Sequence, residues 1–224
     1  MRDDRLLREH FGDRLKFNEL LLQPELDGEL FCPAEARVEL ITRHDLPIKS
    51  GDKDISTLTY RLAKENPFHP IRDYLNRVYE EHRDETEILE GFAERYFGTS
   101  EPIHQALVKR FFISAVARVL NPGCKNDCVL ILKGDQSCGK STFFEIMASK
   151  PWFDDSYSSS GDKDERLKLH YSWIVEWGEL EVVFEKKSIS QVKAFLSCST
   201  DKIRPPYGLS QQSLHRPSVI VGST

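Results

Sequence analysis

The segment Gly134-Asp135-Gln136-Ser137-Cys138-Gly139-Lys140-Ser141 constrains this chain more than any other feature. It follows an unbroken apolar run, Val129-Leu130-Ile131-Leu132, and leads into a helix-like stretch at Lys140–Ala148. A continuous apolar run of this kind predicts a parallel strand covered on both faces. Between such a strand and a helix, the spacing Gly-x4-Gly-Lys-Ser has one physical use. The glycines let the backbone wrap closely round an anion, successive N–H groups form a nest for its oxygens, and the helix N-terminus adds partial positive charge. With Gly at about 7% of residues, a chance match in a chain this size is on the order of one per cent, so a coincidental turn is set aside.

The chemistry that follows is that of a nucleoside triphosphate with Mg²⁺. Gly134, Asp135, Gln136, Ser137, Cys138, Gly139, Lys140, Ser141 and Thr142 form the expected ATP cradle. Lys140 is expected to reach the β- and γ-phosphates and the Ser141 hydroxyl to ligate Mg²⁺. Hydrolysis also needs a carboxylate at the end of a neighbouring strand. Trp173-Ile174-Val175-Glu176-Trp177-Gly178-Glu179 supplies two. Glu176 is assigned to the metal and Glu179 to the attacking water, and the spacing leaves these roles interchangeable.

The rest of the sequence bounds the setting. The 224 residues carry 39% hydrophobic and 30% charged side chains and a net charge of −5. That is an ordinary soluble composition with no basic surface overall, although a local basic patch is compatible with it. Five cysteines give no disulfide framework, and Cys124 and Cys128 have no second ligand pair with zinc spacing. No signal peptide or membrane span is visible, so the chain is expected in the cytoplasm without a membrane partner. Short strands about an Asp27-Gly28 turn are expected in residues 1–33, then helices over Glu35–Arg43, Ile55–Lys64, from Pro70, over Glu87–Phe97 and from Pro102 to Val119. The last is apolar nearly all round and reads as buried. The expected architecture is α/β: a mainly helical region at 1–120, then a P-loop NTPase domain at 121–224 with a mostly parallel sheet.

Several ordered segments together resemble the virulence-associated E family, P-loop proteins related to superfamily 3 helicases in phage, plasmid and genomic-island replication modules. They are Asn66-Pro67-Phe68-His69-Pro70-Ile71-Arg72-Asp73-Tyr74-Leu75, Ala115-Val116-Ala117-Arg118-Val119, Pro122-Gly123-Cys124-Lys125, the loop at 134–141, Trp173–Glu176, Gly178-Glu179-Leu180, Asp201-Lys202-Ile203-Arg204-Pro205-Pro206-Tyr207-Gly208 and Val219-Ile220-Val221-Gly222-Ser223-Thr224. The resemblance implies an AAA+-like, helicase-related ATPase acting on single-stranded or replicating DNA, assembled as a hexameric ring and working with a primase. It implies a hairpin facing DNA, on which Lys193, Asp201, Lys202, Arg204 and Tyr207 match. Lys202 and Arg204 are the candidates for phosphate contacts, with Lys193 beside them. Relatives place a sensor asparagine directly after the strand ending at Thr224, and an arginine finger later still. The P-loop domain is therefore expected to be incomplete at its C-terminus. Two other readings stand beside the ATPase: a nucleotide-binding remnant with little turnover, and a P-loop kinase acting on a small molecule.

Overall fold

The computed structural model describes residues 2–85, 87–157, 163–178, 188–205 and 211–224, without the side chains of 163 and 164. Contacts divide the chain into two units, Met1–Asp73 with Arg204–Gln211, and Tyr74–Ile203 with Gln212–Thr224.

In the first unit, helix α1 (Arg2–Phe11) precedes strands β1 (Leu15–Asn18), β2 (Gln23–Leu26) and β3 (Glu29–Leu30). Helices α2 (Ala36–Thr42) and α3 (Asp52–Glu65) and strand β4 (Pro67–Phe68) follow. The strands form a mixed sheet in the order β3-β2-β1-β4, so this region is not helical alone. Asp27 and Gly28, with φ of 56° and 86°, make the tight turn between β2 and β3. Helix α3 buries Ile55, Leu58, Thr59, Leu62 and Ala63 at helical spacing, and its apolar residues join Leu7, Phe11, Leu15 and Phe17 in one core. Helix α1 was not expected. Leu7 and Phe11 are its buried apolar anchors, with Leu6 packed partly beside them, and Asp3 is held by accepting hydrogen bonds from the Lys49 and Ser50 amides at 3.2 and 2.7 Å.

Helix α4 (Pro70–His82) leads into the second unit. There follow α5 (Phe92–Phe97), α6 (Pro102–Leu120), β5 (Leu130–Leu132), α7 (Lys140–Ala148), β6 (Phe153–Tyr157), α8 (Lys163–Tyr171) and β7 (Ile174–Trp177). The last elements are α9 (Ile189–Leu196), β8 (Thr200–Ile203), β9 (Gln212–His215) and β10 (Val219–Ser223). Four strands build a parallel sheet in the order β5-β10-β7-β6. The unit is thus α/β, and its four-stranded sheet is entirely parallel.

Three expectations differ from what is observed. The unit boundary lies at 73/74 rather than 121, because α6 packs on the sheet: Trp173 Nε1 donates to the Ala115 carbonyl at 2.9 Å. Among the described strands β5 pairs with β10 alone, and Ile131 is 43% exposed, which shows that the apolar run is not covered on both faces. Helix α6 buries Val108, Phe111, Ala115 and Val119 but exposes Ile103, Ile113 and Leu120, so it is only partly a core helix. In addition, α5 starts at Phe92 rather than Glu87, since Gly91 in the left-handed region breaks the helix. No helix among the described residues is long and apolar enough to cross a membrane.

Aromatic packing fixes α7. Phe144 is fully buried beside Phe111, with ring centroids 6.1 Å apart, and Phe143 meets Phe97 at 5.0 Å. Strands β8 and β9 pair antiparallel, and a buried ion pair pins the base of this pair. Arg216 donates to both oxygens of Asp201, from Nε at 2.5 Å and Nη2 at 2.9 Å, and His170 Nε2 lies 3.2 Å from the same carboxylate. Burial alone would raise the Asp201 pKa. Hydrogen bonds from Arg216 and His170 outweigh it and hold the carboxyl far below its ordinary range.

Asp201→Asn leaves Arg216 buried without a counter-charge and is expected to cost about 3–5 kcal/mol of unfolding free energy. A depressed folded pKa gives stability that is complete above the unfolded carboxyl value of about 4 and lost as pH falls below it. Denaturant titrations at pH 7 and pH 3 check this: the variant's deficit shrinks at the lower pH.

Candidate functional site

Strand β5 stops at Leu132, and β10 ends beside it. The Thr224 amide donates to the Leu132 carbonyl at 3.1 Å, and the Gly134 amide donates to the Thr224 carbonyl at 3.2 Å. The loop therefore springs from the carboxyl edge of the parallel sheet, where open α/β sheets place their ligand crevices. Ser137 and Gly139 take positive φ values of 64° and 92°, and Gly139 is the residue before α7. No side chain caps that helix, so its first-turn N–H groups are available to an anion. Residues 133–139 are all exposed. Gly134 is kept small by its neighbour, since a Cβ there would stand 3.3 Å from the Cys138 sulfur.

Lys140 turns its ammonium over this loop. Nζ donates to the Gly134 and Asp135 carbonyls at 2.8 Å each and lies 3.8 Å from Cys138 Sγ. These are neutral acceptors, and phosphate oxygens would bind the same ammonium more strongly.

Glu176 is positioned by strand alternation. Val175 and Trp177 join a buried cluster with Tyr157, Leu169 and Val192. Glu176, between them, faces the opposite way and meets α7, where the Ser141 hydroxyl donates to its Oε1 at 2.9 Å. In register, Glu176 stands against Val221 and Val221 against Leu130, so one strand separates the loop strand from the carboxylate strand. Glu176 is 2% exposed, and among the described residues its second oxygen, Oε2, has no hydrogen-bond partner. A buried carboxylate oxygen without a donor is costly unless a cation answers it. The hydroxyl of Ser141 and the carboxylate of Glu176 are hard oxygen donors of the kind Mg²⁺ takes, so the residues present fit that ion.

The sequence-predicted residues thus separate into those brought together and those elsewhere. Gly134 to Ser141 and Glu176 form one site, with exposed Thr142 in the first turn of α7. Glu179, Pro206, Tyr207 and Gly208 lie outside the described residues. Lys193 is exposed on α9, Lys202 is exposed on β8, and Arg204 is exposed just beyond it. Among the described residues, no hydrogen bond joins Lys193 or Lys202 to the loop. Asp201 is a correction of another kind. It matched the segment implied to face DNA, yet it is 5% exposed and bound to Arg216. Sequence reasoning did not find Arg216, whose partner lies across a hairpin; the arginine before Pro217 carries no local signal.

No curated protein matches the chain. The family model for the virulence-associated protein E-like domain matches residues 75–224, which is well over half of the sequence and includes the loop, Glu176 and the β8–β9 hairpin. The chain belongs to the virulence-associated protein E-like domain family.

Proposed function

We propose that this chain binds ATP with Mg²⁺ on the loop at 134–142 and hydrolyses it, as a helicase-like motor module for the replication of a phage, plasmid or genomic island. The observation that carries this reading is the contact between Ser141 and Glu176. It joins the first turn of the helix after a phosphate-binding loop to a buried carboxylate on a strand two places away. The all-parallel order β5-β10-β7-β6, with a strand inserted between those two elements, supports a P-loop NTPase fold of the AAA+ and superfamily 3 kind.

In this reading the amides of residues 135–139 and the open first turn of α7 bind phosphate oxygens. Lys140 exchanges its two carbonyl partners for the β- and γ-phosphates. Ser141 and Glu176 hold Mg²⁺, which supplies charge neutralisation of the polyphosphate. Glu179 follows Glu176 closely in sequence and is assigned to orient and deprotonate the attacking water, with the roles of the two carboxylates interchangeable. Ser223 and Thr224 end β10 beside the loop, the position of a strand that reads the terminal phosphate.

The DNA contact is assigned to the β8–β9 hairpin. Lys202 is exposed between buried Asp201 and Ile203, so a strand fixed on one side presents a cation on the other. Arg204 and Lys193 are the accompanying cations. Such contacts neutralise backbone phosphates whatever the base sequence. Assembly as a ring, with a neighbouring subunit completing the site and a primase acting on the same DNA, belongs to the same proposal.

Lys140→Ala is expected to lower ATP affinity, measured by calorimetry, and with it turnover by about 10²-fold or more, measured by phosphate release. Unchanged ATP affinity in that variant rejects the loop as the nucleotide site. Glu176→Gln is expected to retain bound ATP while turnover falls about 10²–10³-fold, with the loss read as a nucleotide trap in single-turnover assays. The double substitution Lys202→Ala with Arg204→Ala is expected to weaken single-stranded DNA binding and reduce the salt dependence of the affinity by a slope of about 2. ATP affinity without DNA stays at the wild-type value. Undiminished DNA retention removes the hairpin from the interface.

A further inference from the structure

A second cluster of buried charge lies at the other end of β10 from the loop. Arg118 of α6 is 2% exposed. Its Nη1 donates to the Arg216 carbonyl at 3.4 Å, while its Nε has no hydrogen-bond partner among the described residues. Among the described residues no carboxylate pairs with it. Arg216 is close by, but its charge is already answered by Asp201. Burial works against the Arg118 charge, yet a guanidinium does not deprotonate in a protein. The positive charge therefore stays, and it needs compensation.

Two more donors converge on the same place. Ser218, 3% exposed, has no partner for its hydroxyl among the described residues. Asn126 has committed its amide oxygen to the Cys128 N–H at 3.2 Å, so its NH₂ group is what it can still offer. Arg118, Asn126, Arg216 and Ser218 line one cavity of about 10 Å³, and no acidic side chain is among its lining residues. That space admits a single particle of roughly the size of a water molecule or a little more, and excludes sulfate or phosphate. A water molecule would satisfy the hydrogen bonds but add no charge beside a guanidinium on which Asp127 acts only from beyond salt-bridge reach.

We propose that Arg118, Ser218 and Asn126 form a binding site for a single-atom monovalent anion of the chloride class. The anion ties α6 to the segment leading into β10. Ser218 directly precedes Val219, which pairs with Ile174 at the start of β7, whereas Ser223 pairs with Leu132 at the root of the loop. The site is therefore separate from the nucleotide site and independent of that reading. Its role is to seat the amino end of the central strand.

The test uses the untagged full chain, with thermal unfolding followed in sodium chloride, bromide and gluconate at constant ionic strength. Chloride and bromide are expected to raise the midpoint in a saturating manner and gluconate to leave it unmoved. Crystals soaked in bromide are expected to show an anomalous peak within hydrogen-bonding reach of Arg118 Nε and Ser218 Oγ. Ser218→Ala, which removes one hydroxyl, is expected to weaken the halide midpoint about tenfold, and Arg118→Leu to abolish halide dependence. If Arg118→Leu does not fold, Ser218→Ala decides. A water peak without bromide signal overturns the proposal. So does an unchanged halide midpoint in Ser218→Ala, which would mark any bromide found there as an adventitious ion only.

Discussion

The hydrogen bond from Ser141 to Glu176 is the contact on which the arrangement of the second unit turns. It joins the helix that follows β5 to β7, a strand that does not neighbour β5, across the fixed register that β10 sets between them. A serine in the first turn of α7 must meet a carboxylate projecting from β7. Phe143 and Phe144 hold α7 in place among Phe97, Phe111 and Phe112 while alternation along β7 sends Glu176 to the face opposite Val175 and Trp177. Each of these constraints is an ordinary packing requirement. Their coincidence leaves one oxygen of Glu176 bonded to Ser141 and the other buried without a donor, which is poor design for a structural residue and good design for a cation ligand.

Much of this site was legible in the sequence because its parts are local. The spacing from Gly134 to Ser141 encodes a loop directly, and a carboxylate closing an apolar run marks Glu176. What was not legible depends on partners far apart in the chain. Arg118 and Arg216 meet across 98 positions, and nothing in either neighbourhood announces it. Asp201 reads as a surface charge among Lys202 and Arg204, yet the strand's alternation buries it and exposes Lys202. The apolar run before the loop misled in the other direction. Four consecutive aliphatic residues read as a strand covered on both faces, but Ile131 is 43% exposed, and composition does not encode which face of a strand another element covers. Helix α1 escaped for a similar reason, since its ion pairs Arg8–Glu65 and Arg61–Asp4 reach across the unit.

The second unit disposes of buried charge in three ways. Asp201 and Arg216 answer each other with two parallel hydrogen bonds, which makes them a closed pair with nothing to offer a ligand. Glu176 is half satisfied and Arg118 is left with one donor idle. The open negative group lies where β7 meets α7, at the carboxyl edge of the sheet, and the open positive group lies at the amino end of β10. The polarity of the parallel sheet thus separates a candidate cation site from a candidate anion site along one strand, which keeps either ion from neutralising the other.

Lys140 adds a consequence for selectivity on the proposed reading. Its ammonium already has two carbonyl acceptors at 2.8 Å, so a ligand must offer something better to draw it away. A ribose hydroxyl or a base nitrogen is neutral and gains nothing over Gly134 and Asp135. Phosphate oxygens carry charge, and a charge-assisted bond is roughly twice as strong as the neutral one it replaces. The exchange becomes favourable only when the polyphosphate reaches far enough along the loop to lie beside Nζ. The loop's own carbonyls therefore act as competitors that set a threshold of charge, and discrimination between nucleotides falls on the number of phosphates before it falls on the base.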